Sequence, residues 1–197
     1  HGSSGVPRIT QVKHIAREVI DVLEVSLPRS ITVESNIVSD AWPVEVNPTQ
    51  IHQVLLNLGI NARDAMPDGG VLTFAVYNRT LDAEAAATIT DGRMGNWLVI
   101  EVTDSGTGIP PEVLEHIWDS FFTTKGEGKG TGLGLATVRS IVTLHQGFIQ
   151  VETVVGKGTT FRIFYPASAH AKGDSQPPMP MPATHGEGEL IMVVDDD

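Results

Sequence analysis

The chain has 197 residues, 41% of them hydrophobic, and a formal net charge of −11 at pH 7. This length and composition are sufficient for one domain with a buried core and short extensions. The chain contains no cysteine, which excludes disulfides, thiolate metal sites and a cysteine nucleophile, and its acidity argues against a nucleic-acid surface, which needs clustered Lys and Arg.

Residues 1–5 have the composition of a cloning remnant and are excluded from the predicted fold, whose single domain covers residues 6–166. No apolar run is long enough to cross a bilayer and no signal peptide is visible, although this describes the present stretch and not a longer parent protein. The negative charge does not exclude a phosphate ligand, because Lys side chains, helix N-termini and a metal ion can outweigh the average field.

The first predicted elements are an amphipathic helix over residues 12–23, a strand over 31–38 and a short extended segment over 42–46. The helix ends before Pro28. His14 lies on the helix beside Lys13 and Arg17. A phosphorylatable histidine is conceivable at this position, but a solvated helix face is expected.

The chain is organised around a second helix, which Asn47 can cap and which Pro48 can begin, since Pro lacks the N–H that would be unpaired there. Apolar residues recur on one face at helical spacing: Ile51, Val54, Leu55, Leu58, Ala62 and Ala65. A separate polar stripe is formed by Gln53, Asn57, Asn61 and Asp64, with Leu56 and Ile60 on its far side.

Two interpretations of this polar stripe remain open. It can line a pocket in which a hydrated divalent cation and phosphates satisfy the buried amides. Alternatively, the helix is a core helix whose Asn residues have partners within the protein.

After a turn at residues 67–70, strands are predicted over 71–77 and 97–102, separated by an Ala-rich excursion over 80–95 that is expected to be exposed. The second of these strands is mostly apolar and should be central in its sheet. Later elements are a helix over 111–119, a helix ending near Leu144 and a closing hairpin of residues 148–155 and 159–165. Because strands and helices do not alternate strictly, we predict an α+β fold with a mixed sheet covered by helices on one face.

Asp104 ends the apolar strand and is followed by Gly106 and Gly108. Glycine allows the backbone to approach a flat ligand closely, and a carboxylate there can accept a hydrogen bond from an exocyclic amine such as that of adenine. Asp-Ser-Gly is also common in ordinary turns, so this segment alone does not distinguish a base-binding site from a turn.

A second glycine-rich segment lies where a loop enters a helix and contains Gly130, Gly132 and Gly134. Free N–H groups and the helix dipole can bind phosphates there, and Lys125 and Lys129 add positive charge. The repeated glycines are expected to make this loop a mobile lid over a nucleotide. The spacing is neither a Walker A motif nor a convincing dinucleotide fingerprint.

Together these segments resemble one superfamily, the ATPases of histidine kinases, gyrase, chaperones and mismatch-repair proteins. Residues 57–65 (Asn-Leu-Gly-Ile-Asn-Ala-Arg-Asp-Ala) resemble its N box, and residues 104–108 (Asp-Ser-Gly-Thr-Gly) resemble its first glycine box. Residues 121–125 (Phe-Phe-Thr-Thr-Lys) are similar to the phenylalanine box of histidine kinases, residues 130–135 to their second glycine box, and residues 156–161 to their closing hairpin. The likeness runs through residues 10–166 and implies the two-layer α/β sandwich of the Bergerat ATP-binding fold.

The resemblance also implies ATP and Mg²⁺ as cofactors and assigns roles by position. Asn61 becomes the magnesium ligand, Asn57 its neighbour at the phosphates, and Asp104 the adenine-binding carboxylate; the catalytic residues are then Asn57, Asn61 and Lys125. Thr160 is placed behind the adenine. The complete nucleotide-binding set is Asn57, Asn61, Asp64, Asp104, Gly106, Gly108, Ile109, Phe122, Thr123, Lys125, Lys129, Gly130, Thr131, Gly132, Leu133, Gly134, Leu135 and Thr160.

Two departures from the family pattern affect the predicted chemistry. Asn57 occupies the position where gyrase-type ATPases carry the Glu that activates water. An amide cannot take a proton, so transfer to an external acceptor is expected instead of efficient hydrolysis. In addition, no His-Glu-x-x-Asn-like segment precedes the first helix, so the family's phosphoacceptor His and dimerisation helices are expected to be absent from this stretch.

The C-terminal residues are predicted to leave this domain. Residues 167–188 are rich in Pro, Gly and Ser and indicate a flexible linker. Residues 189–197 indicate an apolar strand followed by three Asp residues, which resembles the first strand of a response-regulator receiver domain. We expect this strand to pair with the sheet of a neighbouring molecule and to bind no magnesium.

The resulting prediction is the ATP-binding catalytic domain of a hybrid sensor histidine kinase, which transfers the γ-phosphoryl group of Mg-ATP to a His on a missing helix. Expected partners are those dimerisation helices and a receiver domain or response regulator; the parent is expected to be a homodimer, the fragment a monomer, and the domain cytoplasmic. Two rivals remain: a gyrase- or chaperone-like ATPase, separable by a hydrolysis assay, and a non-catalytic nucleotide-binding switch, separable by a phosphotransfer assay.

Overall fold

The computed structural model of the protein describes residues 5–125 and 130–168. Its helices are α1 (Val12–Ser26), α2 (Pro48–Ala65), α3 (Ala83–Ala87), α4 (Pro111–Leu114) and α5 (Gly134–Leu144). Its strands are β1 (Arg8–Thr10), β2 (Ile31–Ile37), β3 (Val44–Val46), β4 (Gly70–Leu81), β5 (Gly95–Asp104), β6 (Phe148–Val154) and β7 (Gly158–Pro166).

The main sheet has five strands in the order β2-β4-β5-β7-β6. The pairing of β2 with β4 is parallel, and the other three pairings are antiparallel. The sheet is therefore mixed, as predicted, and the apolar strand β5 lies at its centre. This position explains why Leu98, Val99 and Ile100 are buried whichever face of the sheet they occupy.

Helices α1, α2 and α5 bury their apolar faces in one core together with the inward-facing residues of the sheet. Val54 and Leu55 of α2 are completely buried at its centre, and α2 lies against both α1 and α5. The predicted two-layer α+β sandwich is confirmed. No helix in the part of the chain that the structure describes is long and apolar enough to cross a membrane.

The excursion between β4 and β5 differs from its predicted exposed state. It contains α3, and its residues Ala86 and Ile89 are buried against the opposite face of the sheet, where they contact a cluster that includes Trp97, Phe148 and Phe164. The ring of Phe148 stacks on Phe164 at 4.4 Å and meets Trp97 edge-on at 4.8 Å. Alanine-rich composition indicated an exposed segment, but the aromatic residues on distant strands provide a surface for it to cover.

The structure differs from the sequence prediction in three further places. The helix expected over 111–119 is shortened to α4, after which the chain makes turns in which His116 N donates to Val113 O and Asp119 N to His116 O. Strand β1 was not predicted, because its three residues form a strand only by pairing with β3. By contrast, β4 continues four residues beyond the predicted end at Tyr77.

The last described residues are hydrogen-bonded to the backbone near β5 and β3. Ala167 N donates to Asn96 O, and Ser168 N donates to Pro43 O. The predicted linker beyond Ser168 and the predicted receiver strand over 189–197 lie outside the described residues, so both remain predictions.

Candidate functional site

Helix α2 begins where the sequence predicted, and this sets the direction of its polar stripe. The Asn47 side chain accepts a hydrogen bond from Thr49 N at 3.0 Å, and Pro48 occupies the first helical position. The apolar face is then buried in the core, so that Asn57, Asn61 and Asp64 are turned toward the loop that precedes α5 and its first residues.

The two asparagines of the stripe meet the N-terminus of α5. Asn57 Nδ2 donates to Gly134 O at 3.3 Å. Asn61 Nδ2 is buried and has no hydrogen-bond partner among the described residues, and a Cβ added to Gly134 would lie 3.7 Å from it. A buried amide without a partner costs free energy, which favours the pocket interpretation over a core helix with satisfied Asn residues.

The N-terminus of α5 provides donors beside these amides. Leu133 precedes the helix without a side-chain capping bond, and no described hydrogen bond engages the N–H groups of Gly134 and Leu135. The first turn of any α-helix has N–H groups without partners inside the helix. Helix α5 has 11 residues, which is long enough for the positive end of its dipole to act at the same place. This arrangement is typical of a phosphate-binding helix N-terminus.

Asp64 and Lys125 form an ion pair at the next turn of α2. Lys125 Nζ donates to Asp64 Oδ2 at 2.5 Å, and Arg63 Nε donates to Asp64 Oδ1 at 2.8 Å. Burial alone would raise the pKa of Asp64, but the hydrogen bonds and charges of Lys125 and Arg63 outweigh it and lower the pKa below its usual value. Asp64 is therefore ionised, and each of its oxygens pairs with a cation of the protein.

Asp104 lies at the end of β5, where the sheet meets the loop with the first glycines. Its side chain is buried, and its Oδ1 accepts hydrogen bonds from Gly106 N at 2.9 Å and Thr159 N at 3.3 Å. Burial raises the pKa of Asp104, and the two backbone hydrogen bonds oppose that rise. Among the described residues nothing donates to Oδ2, which leaves one carboxylate oxygen for an external donor.

The structure places Thr159, not Thr160, beside Asp104. The two residues are register partners on β7 and β5, whereas Thr160 Oγ1 contacts Thr103 Oγ1 at 3.0 Å on the opposite face of the sheet. Thr159 is buried, and its hydroxyl contacts Thr153 Oγ1 at 3.0 Å. The sequence contained the signal that would have found it, because Thr159 alternates with the core residues Phe161, Ile163 and Tyr165.

The first glycines are required by the protein's own backbone. A Cβ added to Gly106 would lie 2.4 Å from Ala65 O, and one added to Gly108 would lie 2.3 Å from Val154 O. Thr107 N also donates to Ala65 O at 2.9 Å. These contacts join the end of α2 to the Asp104 loop, so close packing within the protein explains these glycines without a ligand.

Gly132 has a similar structural role in the second glycine segment. It has a φ of 66°, and an added Cβ would lie 2.3 Å from the backbone carbon of Phe121. Phe121 N donates to Gly132 O at 3.0 Å. The two boxes at residues 121–125 and 130–135 are thereby joined, although the sequence could not show this contact.

The remaining predicted residues contact several neighbouring elements. Ile109 N donates to Thr153 Oγ1 at 2.8 Å, the Phe122 ring lies 5.4 Å from that of His116, and Thr123 Oγ1 accepts from Lys125 N at 3.2 Å. Leu135 packs on the core, Thr131 Oγ1 accepts from Leu133 N at 3.4 Å, and Gly130 packs against Lys125. Lys129 lies outside the described residues, and the predicted lid therefore stays a prediction.

A separate groove of about 730 Å³ lies beside the edge strand β6, between Arg93 and Arg139, with Trp118 in its wall. None of the predicted site residues lines it. It differs in character from the α2–α5 junction, which has free backbone donors and an unpaired amide.

Comparisons with a family model and with individual known proteins agree on one family. The family described as histidine kinase-, DNA gyrase B-, and HSP90-like ATPase matches residues 46–169. Sensor kinase CckA of Brucella abortus is 39% identical over 173 residues, which are 88% of this chain and 18% of CckA. Sensor histidine kinase ZraS of Escherichia coli K12 is 40% identical over 135 residues, which are 68% of this chain and 25% of ZraS.

A solved structure supports the same relation. The nucleotide-free catalytic domain of histidine kinase ThkA superposes with a TM-score of 0.66 at 28% identity, over 84% of this chain and 99% of that domain. The chain thus spans about a quarter or less of the two curated relatives and almost the whole of one isolated catalytic domain.

Proposed function

The chain belongs to the histidine kinase-, DNA gyrase B-, and HSP90-like ATPase family, and its relatives are sensor histidine kinases; from this we propose that it binds Mg-ATP and donates the γ-phosphoryl group to a histidine of a dimerisation helix. That helix is not in this stretch. Adenine is bound at Asp104, and the phosphates are bound between α2 and the N-terminus of α5.

One observation carries the proposal: the buried, unpaired Nδ2 of Asn61 beside the first turn of α5. An uncompensated amide is expected at a site completed by a ligand. The free N–H groups of α5 favour an anion at the same place. The unengaged Oδ2 of Asp104 provides the acceptor for an exocyclic amine at the other end of the site.

The residues at this junction fit a magnesium ion. Mg²⁺ in phosphate sites keeps several waters and takes few protein ligands besides the phosphate oxygens. An amide side chain such as that of Asn61 offers one oxygen, and a half-turn of the amide group exchanges that oxygen with Nδ2. Among the described residues no group of three His, Asp or Glu side chains could hold a metal by itself, so a site shared with phosphate is the arrangement that fits. The ion would neutralise phosphate charge when bound.

In the proposed mechanism the protein acts by position and charge. Asp104 orients the base through its buried carboxylate. Lys125 and the N–H groups of α5 stabilise negative charge on the polyphosphate. Asn57 donates to Gly134 O and so holds α2 against α5. No side chain at Asn57 or Asn61 can accept a proton, and the acceptor histidine itself must provide the nucleophile.

Asn57 also disfavours the alternative of a gyrase-like ATPase. Asn57 is an amide, and water activation requires a base within reach. A hydrolysis assay separates the two functions, since an ATPase would release phosphate at a steady rate without any added acceptor domain.

The test begins with calorimetry of this chain with ATP and Mg²⁺. We expect saturable binding, and no labelling of the chain itself when it is incubated with γ-labelled ATP. Label should then pass to an added dimerisation domain that carries a phosphoacceptor histidine. Acid-labile, base-stable label on His14, which is exposed on α1, would contradict the assignment of the acceptor to another segment.

We also propose a wider setting from the C-terminal residues 189–197, which we call the tail. The parent protein is a homodimeric hybrid kinase with its catalytic domain in the cytoplasm, and a receiver domain that begins near residue 189 is its phosphate acceptor. The basis is the apolar run over 190–194 followed by Asp195, Asp196 and Asp197. A longer chain that carries this segment should accept phosphate on a carboxylate beyond residue 197.

A further inference from the structure

Lys125 is held at three points in the described structure. Its N–H donates to Thr123 Oγ1 at 3.2 Å, and its Nζ donates to Asp64 Oδ2 at 2.5 Å. Its stem packs against Gly130, where an added Cβ would lie 3.1 Å from Lys125 Cδ. A free Lys side chain loses rotamer freedom when it binds a ligand, and these contacts remove much of that freedom in advance.

Both carboxylate oxygens of Asp64 already pair with cations of the protein. Its Oδ1 accepts from Arg63 Nε at 2.8 Å and pairs with Arg63 Nη2 at 2.7 Å, while Oδ2 is taken by Lys125. A carboxylate also repels phosphate. These contacts do not favour the direct nucleotide contact that the sequence resemblance implied for Asp64.

Asp64 nevertheless places Lys125 close to the proposed phosphate site. It follows Asn61 by three residues on α2, and side chains at that spacing are neighbours on one helix face. Lys125 Nζ has three N–H donors, of which Asp64 uses one. Arg63, Asp64 and Lys125 together leave one net positive charge at this point.

We propose that Asp64 is a positioning residue, which holds the Lys125 ammonium beside Asn61 so that a polyphosphate meets a cation already in place. This proposal rests on the proposed nucleotide-binding function and concerns the phosphate part of the same site. It differs from two other roles for Asp64: a purely structural role in α2, and a purely repulsive role toward phosphate.

A double-mutant cycle separates these roles. The affinities of Mg-ATP and of adenosine are measured by calorimetry for the wild type, Asp64→Asn, Lys125→Met and the double variant. Asp68→Asn is the matched control, because Asp68 is exposed in the turn after α2. Positioning predicts that Asp64→Asn weakens Mg-ATP about fivefold in the wild-type background and has almost no effect once Lys125 is Met. Adenosine affinity should be unchanged throughout.

Each other outcome overturns the proposal. An equal loss of Mg-ATP affinity in both backgrounds would indicate a structural role, and tighter Mg-ATP binding by Asp64→Asn in both would indicate repulsion alone. A wild type that binds adenosine and Mg-ATP while the cycle is additive contradicts only the positioning role. A wild type that binds neither contradicts the proposed function as well.

Discussion

Asp104 and Asp64 show how the surroundings of a residue decide what its carboxylate can do. Asp104 is buried with only backbone donors, and its pKa is raised. Asp64 is paired with Lys125 and Arg63, and its pKa is lowered. One carboxylate has an oxygen that no described group of the protein engages, and both oxygens of the other pair with cations of the protein.

The first prediction concerns the adenine. Asp104→Asn keeps an oxygen for Gly106 N and Thr159 N, but then directs an NH₂ group toward the ligand where a carboxylate oxygen had been. We expect adenosine and Mg-ATP to bind more weakly by about 1–3 kcal/mol, the range for a buried charged hydrogen bond. Calorimetry with both ligands checks this. Loss of Mg-ATP binding with unchanged adenosine binding would place Asp104 at the phosphates instead.

The second prediction concerns stability and pH for the same variant. Because burial raises the pKa of Asp104 in the folded protein, its ionised form opposes folding at pH values above that raised pKa. Asp104→Asn should therefore unfold at a higher temperature than the wild type at neutral pH. The difference should shrink as the pH falls toward the unfolded value of 3.8. Calorimetric scans between neutral and acid pH check the sign, and a variant less stable at neutral pH would contradict it.

At the scale of elements, the proposed function depends on how the N-terminus of α5 lies against the polar stripe of α2. The Asn57–Gly134 hydrogen bond and the unpaired Asn61 amide both lie between α2 and the start of α5. The α2–Asp104 loop contact at Gly106 is made by a different part of α2, close to its C-terminus. Helix α2 thus contacts both parts of the proposed site: the start of α5 through Asn57, and the loop after Asp104 through Ala65.

The third prediction separates folding from binding at this junction. Gly134→Ala has room for its methyl group, whose nearest contact is Asn61 Nδ2 at 3.7 Å. We expect the fold to gain up to about 0.5 kcal/mol from reduced backbone entropy in the unfolded chain. Mg-ATP should bind about tenfold more weakly, a change of about 1.4 kcal/mol, because the methyl group fills space beside Asn61.

Gly156→Ala is the matched control for this substitution. Gly156 has a φ of 78°, and an added Cβ would contact nothing within 4 Å. This variant should lose stability through backbone strain and keep its Mg-ATP affinity. Equal affinities for Gly134→Ala and the wild type would mean that the phosphates do not reach the start of α5.

At the scale of the whole molecule, residues near both ends of the described domain are hydrogen-bonded to the segment around β3. Strand β1 pairs with β3, and Ser168 N donates to Pro43 O beside that pair. Helices α1, α2 and α5 cover one face of the sheet, and the segment with α3 covers part of the other. Every proposed site residue except Lys129 lies within these described residues.

The fourth prediction follows from the position of the core and the proposed site before Ser168. Truncation after Ser168 should leave the unfolding temperature and the Mg-ATP affinity unchanged, because the described core and every proposed site residue lie before this residue. Asp195, Asp196 and Asp197 should add no magnesium binding, since a receiver site needs a further acceptor Asp. Thermal unfolding and magnesium titration of both chain lengths check this. A large loss of affinity would show that the tail belongs to the nucleotide site.

Much of the fold was predictable because its signals are local. The start of α2 follows from Asn47 and Pro48, its buried face from the spacing of Val54, Leu55 and Leu58, and the central place of β5 from its apolar composition. Segment 83–87 and β1 were not predictable in this way. Their structure depends on aromatic residues and a partner strand that lie far away along the chain.

The amino-acid sequence by itself determined the family, the order of its boxes and the polar stripe of α2, since helical periodicity, capping and glycine spacing are properties of neighbouring residues. Only the tertiary structure decided which residues meet. Lys125 pairs with Asp64 across 61 positions, and Thr159 N reaches Asp104 across 55. Such contacts depend on strand register and loop path, and a shift of one residue in a strand exchanges Thr159 for Thr160 at the site.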